Sequence, residues 1–220
     1  MKPALSDIEL ERIRTSIARA EEGTSGEIVP FVVARSDRYE VVMWRGAAAA
    51  AALFLVATLL IYLFYRGWSL GWLYTGIGMA LGIVASFLIG IALVVWSPRA
   101  FRLVAGQRLL ASRVRGRAER AFIKEGVFRT KQRTGILILV SLQERRIEIL
   151  VDEGISKVVP TDSWSTVVEA ARTELRRGDL AEALVAGVDA CGAILRESGL
   201  TATRDDLNEL GDELRFGAEG

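Results

Sequence analysis

The chain has 220 residues, 51% of them hydrophobic, with a formal net charge of +1, one cysteine and no histidine. A single thiol excludes an intrachain disulfide. The lack of histidine removes the commonest general base, the commonest zinc ligand and every Ser-His or Cys-His nucleophile pair. The near-zero balance singles out no partner, but charge is unevenly spread. Gly46–Pro98 contains Arg66 as its only charge, Arg99–Arg133 holds eleven Lys/Arg against two acids, and Glu197–Gly220 holds seven acids against two arginines.

Ser6-x-x-Glu9 is a capping box, and Leu10, Ile13, Ile17 and Ala20 follow at spacings of three and four, which predicts an amphipathic helix ending at Gly23. No apolar core with a cleavage site lies within Met1–Ala20, so no secretory signal is expected. Glu27–Ala34 (EIVPFVVA) reads as a strand, apolar on both faces and therefore sandwiched, with Pro30 arguing for an edge or a bulge. A lone strand is not stable, so its partners must lie beyond the apolar stretch.

That stretch predicts a transmembrane hairpin. Gly46–Tyr65 and about Gly71–Trp96 are each long enough to cross roughly 30 Å of hydrocarbon, with a turn at Arg66 and Gly67. Arg35, Arg38 and Arg45 precede it and Arg99 and Arg102 follow, so the positive-inside rule puts both termini in the cytoplasm. Trp44, Tyr62, Tyr65, Trp68, Trp72, Tyr74 and Trp96 suit an aromatic belt. Gly78, Gly82, Ser86 and Gly90 fall four apart on one helix face, a stripe that lets a second helix approach closely, either within the hairpin or in a homo-oligomer.

Pro98 marks the exit, and Arg99 to about Glu125 reads as one helix with Leu103, Leu110, Val114, Ala118 and Phe122 as its apolar line. Its basic residues, Arg99, Arg102 and Arg108 first, are candidates for anionic lipid headgroups. The plainer reading is a solvated face that enforces topology. No aromatics are interleaved for base stacking, so no nucleic acid is expected. Ile136–Leu142 and Ile147–Asp152 form a β-hairpin turning at Gln143-Glu144, with Arg145 and Arg146 opening its second strand. A helix after Pro160 carries Trp164, Val167, Val168, Ala171 and Leu175 and stops at Gly178. A second capping box, Asp179-x-x-Glu182, opens a helix with Leu184, Val188, Cys191 and Leu195 inward. In the acidic tail, Leu207, Leu210 and Leu214 suggest a short helical turn, with mobile last residues.

Enzyme signatures are sparse. Cys191 and Arg196 are one residue short of a cysteine-phosphatase loop, and Ser156-Lys157 are adjacent, so their side chains diverge. Asp152 and Glu153 end a strand, where α/β sheets tend to place sites, and with Glu27 and Asp162 they could bind Ca²⁺ or Mg²⁺ through hard oxygen ligands. The alternative is that Asp152 caps a turn and Glu27 pairs with an arginine such as Arg146.

FIKEGVFRTKQRTGILILVSLQERRIEILVDEGI, then Trp164 and LRRGDLAEALVAGVDACGAIL, resembles the TPM-domain family, named for a thylakoid-lumen protein, a photosystem II repair protein and a nematode receptor modifier. TSGEIVPFVVARSDRYE is similar to the family's first half. The resemblance implies an α/β/α sandwich, here split by an inserted two-helix transmembrane hairpin, as in a bacterial subgroup. The expected parts are residues 1–43 and 98–200 as the cytoplasmic α/β domain, 44–97 as the hairpin and 201–220 as the acidic tail. Some members are described as metal-binding acid phosphatases and others as repair or assembly factors at membrane complexes. Bacterial relatives are thought of alongside LemA-family membrane proteins. This chain departs from the family in having Asp152-Glu153 where members run to glycine and Arg133-Thr134 where many place an acid. The resulting expectation is a two-pass protein of the bacterial inner membrane. It would act as a non-catalytic accessory domain for another membrane protein, with a metal-dependent phosphohydrolase as the rival.

Overall fold

The computed structural model describes residues 5–64, 68–200 and 209–217. It divides into two units, Met1–Asp37 with Ala111–Gly220, and Arg38–Leu110.

The first unit is built on a four-stranded sheet. Its strands are β1 (Glu27–Val33), β2 (Gly135–Ser141), β3 (Arg146–Val151) and β4 (Arg215–Gly217), in the order β3-β2-β1-β4. β1 runs parallel to β2 and to β4, and β3 runs antiparallel to β2. Both faces of the inner strands are apolar, so both must be covered. Ile28 and Val32 of β1, with Ile136, Ile138 and Val140 of β2, pack under three helices: α1 (Asp7–Glu21), α7 (Trp164–Arg177) and α8 (Leu180–Glu197). Val29, Phe31 and Val33, with Leu137 and Leu139, pack under Val114, Ala118 and Ala121 of α5 (Gln107–Lys124). The result is the α/β/α sandwich. α1 and α8 approach closely at Gly192, where an added Cβ would stand 2.8 Å from that of Ala20.

Several local expectations are met. Ser6 accepts the Glu9 amide while the Glu9 carboxylate accepts the Ser6 amide, the reciprocal pair of a capping box. Gly178 ends α7 with φ +91°. Leu184, Val188, Cys191 and Leu195 are fully buried. The Asp179 box is only half made: Asp179 accepts the Glu182 amide, but the Glu182 carboxylate goes to Arg12 at 2.6 Å. Between Pro160 and α7, Thr161–Ser163 forms a 3-10 turn without a side-chain cap. Arg145 belongs to the turn, with φ +52°, and does not open β3. Pro30 lies in the parallel register opposite Ile138. β4 begins only at Phe31, so the sheet edge beside Pro30 is open on that side.

The tail departs most from expectation. Leu210–Leu214 is not helical, and Arg215–Gly217 is a strand added to the free side of β1. Leu214 and Phe216 pack on one core and Leu210 on the other. Leu207 lies outside the described residues.

The second unit contains α2 (Glu40–Phe64), α3 (Gly76–Trp96) and α4 (Pro98–Ala105). A 3-10 segment, Trp68–Tyr74, takes residues expected at the head of the second arm, and the turn at Arg66 and Gly67 lies outside the described residues. α2 and α3 are long and apolar enough to cross a membrane, with mean hydropathy of 2.4 and 2.5, and only 11% and 17% of their most apolar windows is buried. Two members of the glycine stripe, Gly82 and Gly90, lie against α2. A Cβ on Gly90 would meet the Gly46 carbonyl oxygen at 2.5 Å and the Ala50 Cβ at 2.8 Å, and one on Gly82 would run into the Phe54 ring. Gly78 is held under the Trp72 carbonyl, while the Ser86 hydroxyl donates to Ile83 in its own helix. Gly90→Val is therefore expected to force the helices apart, at about 1–3 kcal/mol. Thermal melting in detergent should show the loss, with Gly76→Val, where nothing lies within 4 Å, unchanged.

The basic segment is two helices, not one. Gly106 takes φ +73° and donates to Arg102 O, which closes α4, and α5 starts at Gln107. The break resets the helical phase. Leu110 stays buried, whereas Leu103, expected on the same apolar line, is 85% exposed.

Candidate functional site

The two rims of the sheet hold the polar groups of the first unit. At one rim β1 and β2 begin and β3 ends. Glu27 N donates to Thr134 O, and Asp152 N donates to Gly135 O. Because β3 runs antiparallel, the C-terminal end of β3 is the start of the parallel strands. The rule that places ligands at strand C-termini therefore points to the opposite rim, not to Asp152.

Each predicted metal ligand on this rim has its own partner. The Glu27 carboxylate accepts the Glu209 and Leu210 amides at 3.4 and 3.2 Å, which ties the tail to the start of β1. Glu209 in turn accepts the Lys131 amide at 2.8 Å. Asp152 caps the short helix α6 (Glu153–Ser156), accepting the Glu153 amide at 2.7 Å, and its other oxygen lies 3.1 Å from Arg133 Nε. Glu153 pairs with Lys157 at 2.8 Å, and that contact draws its carboxyl below the usual range. Glu27 and Asp152 stand two strands apart, roughly 10 Å between strand axes. Among the described residues no group of three Asp, Glu, Cys or His is arranged to hold a metal ion. The residues present do not fit a Ca²⁺ or Mg²⁺ site. Asp152 caps a turn, as the plainer alternative has it, while Glu27 takes tail amides and not Arg146.

One carboxyl here is strongly perturbed. Glu21, at the end of α1, accepts the Ile28 amide at 2.6 Å. Burial pushes it up to about 8, the amide opposes this, and the charges of Glu27 and Asp212 add to it. Burial raises Glu27 as well, against the pull of the two tail amides. The rim therefore carries two reluctant carboxylates beside an acidic tail.

At the opposite rim Leu142 N and Gln143 N donate to Val33 O and Ala34 O as β1 leaves the sheet. Ser36, Ser141 and Glu144 close the rim as a buried polar knot. The two hydroxyls are 2.8 Å apart, Glu144 Oε1 accepts the Ser36 amide at 2.9 Å, and Oε2 accepts the Ser141 hydroxyl. All three residues are at most 3% exposed. The set has the composition of a nucleophile and a base, but its groups are closed to solvent and bonded to one another, tying the segment after β1 to the β2–β3 turn. Arg113 Nε pairs with Asp37 at 3.0 Å beside it. Sequence reading placed Glu144 in the hairpin turn; a serine at the end of an otherwise apolar strand is the one hint of a buried partner.

In the second unit, Arg99 and Arg108 are exposed and Arg102 is half-buried. The molecule is thus a two-sided α/β/α domain interrupted by an apolar helical hairpin. Residues 100–194 match the family model described as the TPM domain. The structure is similar to the NMR structure of BA42 protein from the psychrophilic bacterium Bizionia argentinensis. The two are 19% identical over 99% of this chain and 98% of that one, with a TM-score of 0.59, a likeness of fold. No curated protein matches.

Proposed function

We propose that this chain is a membrane-anchored TPM-type accessory domain, without catalysis of its own, that binds and assists another membrane protein at the cytoplasmic face. One observation supports it above the rest. Two helices of 25 and 21 residues, with few of their apolar residues buried, are spliced between β1 and α5 of the domain. A chain that leaves and re-enters one domain by way of such a hairpin keeps that domain on one side of a bilayer, and the flanking arginines favour the cytoplasmic side. The buried Ser36-Ser141-Glu144 knot and the separately partnered Glu27, Asp152 and Glu153 argue against a reaction centre in the sandwich.

Photo-crosslinking in native membranes followed by mass spectrometry tests this. Reproducible crosslinks from the sandwich to a second membrane protein are the expected result. Crosslinks only between copies of this chain would replace the partner with a homo-oligomer. A phosphatase activity that needs Ca²⁺ or Mg²⁺ and is lost in Asp152→Asn would replace the accessory reading with the enzyme.

A further inference from the structure

α4 is a short helix with two unlike faces. Phe101 and Ala105 are buried with Tyr39, Val42, Val94 and Leu110, and the Tyr39 and Phe101 rings meet edge-on at 5.0 Å. The other face is exposed and carries Arg99 and, four residues on, Leu103. Neither end continues a neighbouring helix. Ser97 leaves helical geometry at ψ 107° and caps α4 through the Ala100 amide, and Gly106 ends it at φ +73°. The break at Ser97 falls where the apolar span ends, at an 82% exposed Trp96. The exposed leucine is thus continuous in the chain with the exposed apolar surface of α3, and arginines flank it. An isolated exposed leucine needs no explanation. One on a pinned helix beside a membrane span, between arginines and after an interfacial tryptophan, has the composition of a helix lying in a bilayer interface.

We propose that α4 is an in-plane interfacial helix, with Leu103 inserted at the boundary of the acyl chains and Arg99 and Arg102 held by the phosphates of anionic lipids. This rests on the reading of α2 and α3 as a membrane anchor. Phe101 and Ala105 fix the roll of the helix about its axis, so that Leu103 faces away from the core. The snorkelling reach of arginine lets the charges stay with the headgroups while the leucine goes deeper.

The test uses the full chain in nanodiscs, with a nitroxide at Leu103→Cys and collision rates measured against oxygen and a water-soluble nickel chelate. Cys191 is fully buried, so the label goes to the new thiol. Exposed Arg176 at the end of α7, as Arg176→Cys, gives the aqueous reference, and Leu88→Cys on the exposed side of α3 gives the deep one. With phosphatidylglycerol present, the Leu103 label should favour oxygen over the chelate several-fold relative to the Arg176 label. In phosphatidylcholine alone, or with Arg99→Gln and Arg102→Gln, it should move back toward water. Equal behaviour at Leu103 and Arg176 would overturn the proposal. Shielding from both reagents would also overturn it, because a protein then covers the face. The same depth with and without anionic lipid would overturn the role of the arginines. If the Leu88 label itself reads as aqueous, the anchor has failed; if Leu88 is deep and Leu103 aqueous, only the interfacial helix has.

Discussion

Glu21→Gln is expected to make the protein more stable than its parent in alkaline solution and no more stable in acid. The Glu21 carboxyl titrates near 4.5 in an unfolded chain and at about 8 in the fold, mainly because burial disfavours its charge. A raised folded pKa means that the folded state binds the proton more tightly. The stability it contributes is whole below about pH 4.5 and declines as pH rises to about 8, beyond which the cost is constant. Glutamine keeps an oxygen for the Ile28 amide and never ionises, so it is free of that decline. Above about pH 8 the variant should gain on the order of a few kcal/mol, visible as a higher Tm, and the two melting profiles should converge in acid. Parallel Tm profiles across this range would show that Glu21 does not titrate as its burial requires.

Much of the fold was legible because it rests on local chemistry. IVPFVVA and ILILV are apolar on both faces, so neither can be a half-exposed strand, and the need for helices on both faces follows. The capping box at Ser6, the glycine stop at Gly178 and the length of the hairpin arms are likewise local facts. What was not legible depends on distant partners. Arg215–Gly217 is three residues long and lies in an acidic tail, and no propensity marks it as a strand; it is one because β1 offers a free edge. Glu144 looks like a turn residue and is buried because Ser36, more than a hundred residues away, closes over it. The helix after Pro98 shows an apolar line that runs through Gly106, and only the positive φ of that glycine turns Leu103 outward. The candidate ligand set shows the same dependence, on strand direction and on partners elsewhere in the chain. Asp152 and Glu27 share a rim, but the antiparallel β3 makes it the rim where parallel strands start, and each carboxylate already has donors of its own.

The tail shows how such a distant contact acts on the fold. Removing everything after Leu200 is expected to lower stability by about 3 kcal/mol, since Leu210, Leu214 and Phe216 each lose partial burial at roughly 1 kcal/mol apiece. For a domain of this size the Tm should fall by roughly 10 °C. The amides of Phe31–Val33 should exchange faster with solvent, because β1 becomes an edge strand. The Glu209 and Leu210 amides favour the charged form of Glu27 against its burial, so part of that Tm gap is carried by the Glu27 carboxylate. An absent gap, with unchanged exchange at Phe31–Val33, would mean that the fourth strand contributes nothing to holding the sheet.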